Sequence, residues 1–123
     1  MTAPTATTLV VGGTYAARES AIAALLRAGQ QSKVILEGMP DGKPGLLDTA
    51  IAPDAIRRIA PGCLCCAGNL TMRVTLNRVL RHPPQRLFIS LANAGHLAEI
   101  RAFLATSPYQ SLLTLTDDLH IPP

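Results

Sequence analysis

Short apolar runs alternate with helix-like stripes along most of this chain. Residues 8–12 (Thr-Leu-Val-Val-Gly) form a compact apolar run that stops at two glycines, which is typical of a buried strand. Between residues 69 and 80, apolar side chains recur at i, i+4, i+7 and i+8 before Pro83-Pro84, and this pattern predicts an amphipathic helix. The same reasoning predicts further strands at 33–37, 55–60, 86–92 and 111–116, and further helices through Ile22, Leu25 and Leu26 to near Gly29, at 46–51 and at 96–105.

Strands that alternate with helices predict an α/β domain. Parallel strands joined by right-handed helical crossovers are the natural solution for this order, so we expect a mostly parallel sheet of about four to five strands. Residues 38–45 carry two prolines and three glycines and are expected to form a loop. We expect residues 1–123 to form a single domain, with 1–7 and 119–123 loose.

Composition is that of a globular domain. The chain has 123 residues, 48% of them hydrophobic and only 15% charged, which argues against disorder. No run of 18 apolar residues occurs, so no membrane partner is expected. The first residues lack the basic-then-apolar order of a signal peptide. All three cysteines fall within four positions, which favours a reducing compartment, and we expect the cytoplasm.

The positive charge does not by itself indicate a nucleic-acid partner. The net charge is +3, and five arginines, at positions 57, 58, 73, 78 and 81, surround the cysteines and the helix that follows them. The chain has four aromatic residues, none interleaved with these arginines, so stacking of bases has no platform. A solvated helix face explains the arginines better, and we expect no nucleic acid.

The candidate chemistry is concentrated in residues 61–68 (Pro-Gly-Cys-Leu-Cys-Cys-Ala-Gly), here called the thiol segment. Cys63, Cys65 and Cys66 offer soft thiolate ligands that suit Zn(II) or Cu(I). A tetrahedral zinc site needs a fourth donor, which His96, His82, a water or a partner group could supply. Two alternatives stay open: the cysteines pack as small hydrophobic residues, or they form a redox site, although Cys-x-Cys lacks the Cys-x-x-Cys spacing.

Three features together resemble the CobW-type family of P-loop GTPases and metallochaperones. A Leu-Val-Val-Gly strand (9–12) opens onto a turn and helix; Gly-Cys-x-Cys-Cys (62–66) comes roughly 40 residues after that helix begins; a helix and a strand follow. The likeness covers about residues 8 to 118. It implies a three-layer, P-loop NTPase-like domain that lacks the family's later strands, with a soft metal and GTP with magnesium as the family's ligands.

The phosphate loop departs from the family pattern G-x-x-x-x-G-K-[ST]. Aligned from Gly12, Ala17 replaces the second glycine, Arg18 stands for lysine and Glu19 stands for Ser/Thr. If the alignment is shifted by one residue, Gly13 and Ser20 match the pattern, but Arg18 then replaces the second glycine and Glu19 replaces the lysine. A carboxylate near phosphate repels it, so we expect a degenerate Walker A site. The nucleotide-binding candidates are Gly12, Gly13, Arg18, Glu19 and Ser20.

The segment after the predicted strand 86–92 departs from the family as well. The family places a carboxylate and a glycine there for the metal and the γ-phosphate, whereas this chain has Ser90-Leu91-Ala92-Asn93. We therefore expect no catalytic residue and no nucleotide hydrolysis.

The sequence thus favours a domain that binds a zinc-like ion through Cys63, Cys65 and Cys66, with His96 among the candidates for the fourth donor, and serves as an accessory to a larger metallochaperone. One alternative is a nucleotide-dependent enzyme in which Arg18 replaces the lysine. Another is an interaction module whose open sheet edge pairs with a second copy or a larger subunit.

Overall fold

The structure, a computed structural model, describes residues 3–40, 42, 45–61 and 70–123. The strands are β1 (Thr5–Gly12), β2 (Ser32–Glu37), β3 (Ile56–Ile59), β4 (Arg86–Ser90), β5 (Leu113–Leu115) and β6 (Leu119–Ile121). The helices are α1 (Tyr15–Leu25), α2 (Leu47–Ala50), α3 (Leu70–Val79), α4 (Leu97–Leu104) and α5 (Tyr109–Leu112), with short 3-10 turns at Pro53–Ala55 and Ala94–His96.

One parallel sheet organises these elements. Its strand order is β3-β2-β4-β1-β5, and β6 pairs with the carboxyl end of β1. The strand pairs are parallel throughout. All strands therefore end at one edge, here called the carboxyl edge, and begin at the opposite amino edge. The predicted α/β fold with a mostly parallel sheet is confirmed, with the short β6 as an additional strand.

Two apolar cores cover the two faces of the sheet. Alternate residues of β1 point to opposite faces, so Leu9 and Val11 enter one core while Val10 enters the other, and all three are buried. The first core packs against α3, α4 and α5, and the second packs against α1 and α2. Helices on both faces give the three-layer, P-loop NTPase-like arrangement that the sequence predicts. Among the described residues, no helix combines the length and apolar character needed to cross a membrane.

The helix predictions are right in position and partly wrong in detail. Met72, Leu76 and Val79 are buried on the predicted inner face of α3. Leu25 was expected to point inward on α1, but it is 42% exposed because α1 ends there, before Gly29. The strand predicted at 111–116 shrinks to β5, because residues 109–112 form the short helix α5.

The ends of the chain are more ordered than expected. β1 begins at Thr5 rather than after residue 7, and the hydroxyl of Thr5 donates to the Pro84 carbonyl at 2.7 Å. Residues 119–121, expected to be loose, form β6 and pair with Val10–Gly12. An ion pair between Arg101 Nη1 and Asp118 Oδ1, 2.5 Å apart, holds the chain where it enters β6. The pairing is non-local, so a three-residue strand leaves little trace in the sequence.

The close approach of β6 to Gly12 gives a stability prediction. Gly12 has φ 90°, and a Cβ there would overlap the carbonyl oxygen of Ile121, whereas Gly29 has φ 80° and open space around it. Gly29→Ala should cost about 1–2 kcal/mol for its left-handed backbone alone. Gly12→Ala should cost at least about 1 kcal/mol more, because β6 must move. Urea unfolding of both variants measures the difference, and equal losses would contradict the packing of β6 on this turn.

Candidate functional site

Most candidate residues lie along the carboxyl edge of the sheet. Gly12 ends β1 and Gly13 follows it, Glu37 ends β2, and Ser90 ends β4. These three strands are neighbours or next neighbours in the order β2-β4-β1. Open parallel sheets bind their ligands in the crevice beyond the carboxyl ends of such strands. The edge is therefore the place to look for a site.

The three cysteines, Cys63, Cys65 and Cys66, lie outside the described residues. The described chain on both sides of them is at the carboxyl edge, since β3 ends at Ile59 and α3 begins at Leu70 on its return toward β4. Ile59 pairs with Glu37 in register, and its carbonyl accepts a hydrogen bond from Gly38 N at 3.1 Å. The chain thus leaves the sheet beside Glu37, four residues before the first cysteine.

The two histidines proposed as a fourth donor lie at opposite edges. His96 closes the 3-10 turn that starts α4 and is half-buried at the carboxyl edge. His82 follows α3 at the amino edge, where its carbonyl accepts from Lys33 Nζ at 2.8 Å. His82 is therefore disfavoured as the fourth donor, and His96 stays the predicted candidate. Within the described ranges, no three His, Cys, Asp or Glu side chains come close enough to hold a metal ion, and the metal site stays a prediction.

Arg18 is buried beneath the glycine turn and is 4% exposed. Its Nη1 donates to the carbonyl oxygens of Gly12 and Gly13 at 3.1 and 3.2 Å, and its Nε donates to Ser90 Oγ at 2.7 Å. Burial lowers the pKa of Arg18 from its ordinary value, and the negative charge of Glu37 offsets part of that shift. The guanidinium at the position where the resemblance expects a lysine thus binds the turn itself.

Glu19 binds partners on α2 and β3. Its carboxylate is buried, with Oε1 accepting from Arg58 Nη1 at 3.0 Å and Oε2 accepting from Leu47 N at 3.3 Å. It therefore joins α1 to the start of α2 and to β3. Ser20 is exposed on α1, so the structure does not gather the side chains of residues 18–20 at one point. Nucleotide binding by these residues stays a prediction.

Arg58 has a role that the sequence did not indicate. It was assigned with its neighbours to a solvated helix face, but it lies on β3 and binds three partners. Besides Glu19, its Nη2 contacts Asp48 Oδ1 at 2.9 Å and its Nη1 contacts the hydroxyl of Tyr15 at 2.6 Å. The bond to Glu19 is the main cause of a raised pKa for Arg58. The partners are up to 43 residues apart in sequence, so local patterns could not reveal them.

Glu37 is the second functional candidate that sequence reasoning missed. It is 6% exposed at the carboxyl end of β2, and its Oε1 accepts a hydrogen bond from Ala92 N at 3.0 Å. In the sequence it reads only as the polar end of a strand. A buried carboxylate at a strand end, beside a buried guanidinium, is typical of functional sites as well as of structural networks.

Comparison with known proteins gives one partial match. The chain is 34% identical to the zinc chaperone YeiR of Escherichia coli (strain K12) over 79 aligned residues, which cover 61% of this chain and 24% of the relative. The match therefore spans about a quarter of that protein's length. No family model matches the chain. No solved structure matches it. The similarity agrees with the CobW-type resemblance, and the matched relative is described as a zinc chaperone.

The buried contacts of Arg18 give a second prediction. Arg18→Met should lower the free energy of unfolding by about 2 kcal/mol, because it leaves two turn carbonyls and the Ser90 hydroxyl without their donor. Arg27→Met removes an exposed arginine near the end of the same helix and should stay within about 0.5 kcal/mol of wild type. Thermal or urea unfolding separates the two variants. Similar stabilities would show that the buried contacts are not formed.

Asp48 gives a prediction about pH. Its pKa is lowered chiefly by the hydrogen bond from Gly45 N and then by Arg58. Because the folded-state pKa lies below the unfolded one, the stabilisation is complete above the unfolded value and is lost as pH falls through the folded value. Wild type should therefore be more stable than Asp48→Asn at neutral pH, with the difference shrinking below about pH 4. Unfolding curves at several pH values test this, and a difference independent of pH would contradict it.

Proposed function

We propose that this protein binds zinc, or a similar soft metal ion, through Cys63, Cys65 and Cys66 and acts as an accessory in metal handling. The observation that carries the proposal is the partial similarity to a zinc chaperone in a chain whose three cysteines all fall in one short segment. Thiolates are the ligands that structural and transfer sites for zinc commonly use. A reducing compartment such as the cytoplasm keeps them in the required form.

The described residues on either side of the thiol segment support a site at the carboxyl edge. Zinc accepts a histidine nitrogen or a carboxylate oxygen as its fourth ligand. His96 lies at this edge, half-buried at the start of α4. Glu37 lies beside Ile59, from which the chain continues toward Cys63. We propose His96 as the fourth donor and Glu37 as its alternative.

Nucleotide turnover is not part of the proposal. To bind a phosphate, Arg18 would have to give up hydrogen bonds to Ser90 Oγ and to the carbonyls of Gly12 and Gly13. The buried Ser90 hydroxyl and the two part-buried carbonyls would then lose this donor. The arrangement therefore favours a metal-binding role that does not depend on GTP hydrolysis.

A competition titration tests the proposed metal site. The reduced protein should take up zinc from a chromophoric chelator, and the Cys63→Ser/Cys65→Ser/Cys66→Ser variant should lose that binding because a serine hydroxyl does not replace a thiolate. His96→Ala should weaken binding by at least about tenfold, or 1.4 kcal/mol.

His82→Ala is the matched control, since its histidine lies at the amino edge, and it should bind as wild type does. Undiminished zinc affinity in the triple serine variant would refute the site. If Glu37→Gln loses zinc affinity and His96→Ala does not, Glu37 rather than His96 is the fourth donor, and the proposed thiolate site still stands.

A further inference from the structure

The outer edge of β3 is an open side of the sheet that carries positive charge. β3 comes last in the strand order and pairs only with β2 among the described strands. The carbonyl of Ile59 points toward β2, where it accepts a hydrogen bond from Gly38 N at 3.1 Å. Because the backbone groups of successive strand residues point to alternate sides, the N–H and C=O of Arg58 point away from the sheet. Both groups are therefore available to a further strand.

The two arginines of β3 lie on opposite faces of the sheet and differ in how their charge is balanced. Arg57 lies on the face covered by α3, with Ile35 as its register partner, and Arg58 lies on the other face. The charge of Arg58 is already compensated by ion pairs with Glu19 and Asp48. Arg57 is exposed and forms no ion pair with any described residue. The edge thus presents one uncompensated cation.

A second copy of this chain does not suit the edge. Two β3 strands related by a two-fold axis pair antiparallel, and a register that joins three residues of each strand must bring their outward backbone groups together. Such a register is centred on residue 57 or on residue 58, so it places two copies of Arg57, or two copies of Arg58, directly opposite each other. Like charges in that position are destabilising, and charged side chains commonly protect edges from self-pairing. The edge therefore favours a partner of different sequence and opposite charge.

We propose that the outer edge of β3 binds an extended acidic segment of another protein, which adds a strand to the sheet. The backbone of this segment pairs with the N–H and C=O of Arg58, and one of its carboxylates meets the guanidinium of Arg57. In this mode of recognition the main-chain hydrogen bonds supply affinity and the side chains select the partner. The site does not rest on the proposed metal function.

Neighbouring groups confine the pairing to the middle of β3. The N–H of Ile56 already donates to the Pro53 carbonyl in the preceding 3-10 turn. Asp54, which is exposed in the same turn, repels a carboxylate placed at the start of β3. The segment therefore needs one carboxylate opposite Arg57, with uncharged residues on both sides of it.

Amide NMR titration of the full chain with the blocked peptide Thr-Val-Glu-Val-Thr tests the site. The peptide should shift the amide signal of Arg58 saturably, with a dissociation constant of about 1 mM, and should slow the hydrogen exchange of that amide. A peptide with lysine in place of glutamate should bind severalfold more weakly, because it repels Arg57. A peptide with both valines N-methylated keeps the charge but lacks the backbone donors opposite Arg58, and it should also bind more weakly. Equal binding of the three peptides, or no saturable shift of Arg58, would overturn the proposal.

A charge exchange at Arg57 supplies the matching variant. Arg57→Glu changes an exposed side chain without an ion pair, so folding should be retained, while the glutamate peptide should bind about tenfold more weakly than to wild type and the lysine peptide should become the tighter ligand. Arg27→Glu changes the net charge equally on α1, which packs over β1, β4 and β6, and it should keep the wild-type preference. An unchanged preference in Arg57→Glu would refute the assigned contact.

Two other occupants of the edge are distinguished by the same signal. If the Arg58 amide shifts with protein concentration in the absence of peptide, a second copy occupies the edge. If an oligouridylate shifts this amide at lower concentration than the glutamate peptide does, the edge binds nucleic acid. Either result would overturn the proposal, whereas the absence of both, together with the glutamate preference, supports it.

Discussion

The buried guanidinium of Arg18 is the contact on which the carboxyl edge depends. It links the turn after β1 to the end of β4 through Gly12, Gly13 and Ser90, and it lies within the electrostatic field of Glu37 at the end of β2. The ends of the adjacent strands β1 and β4 are thereby joined by hydrogen bonds from one side chain. The strong preference of buried charge for hydrogen-bond partners keeps this side chain in place. The edge is therefore preformed without any ligand.

A second buried charge extends this anchoring to the segment that leads to the cysteines. The carboxylate of Glu19 connects α1 to Leu47 N at the start of α2 and to Arg58 on β3. β3 is the edge strand and pairs only with β2 among the described strands, so its position depends on this ion pair more than that of a central strand would. The end of β3 is the point from which the chain continues toward Cys63. Through Glu19 and Arg58, the position of α1 on the sheet is thus coupled to the strand that leads to the thiol segment.

The sequence predicts the central elements well because their burial is local in origin. β1 and β4 read as continuous apolar runs since both of their faces are covered, and the stripe of α3 follows the 3.6-residue period. The carboxyl edge is harder to read. The pairing of β6 with β1 joins residues more than 100 positions apart in the sequence, and the ion pair of Glu19 with Arg58 joins residues 39 positions apart. The cysteines are visible in the sequence, whereas the choice between His96 and His82 as the proposed fourth donor depends on which edge of the sheet each one lies at.

Arg18 stands where the CobW-type resemblance expects a lysine, and the two side chains differ in what they can bind. A lysine presents a compact charge on a flexible stem and can turn toward a phosphate, whereas a guanidinium presents five donors in a rigid fork. Here that fork satisfies three protein acceptors at once, so the turn gains stability and gives up its free cation. A thiolate-bound metal requires neither that cation nor a magnesium ligand, but only sulfur donors and one more ligand. The proposed metal site is therefore compatible with an edge stabilised from within by Arg18, whereas a phosphate would have to compete with three protein acceptors for this guanidinium.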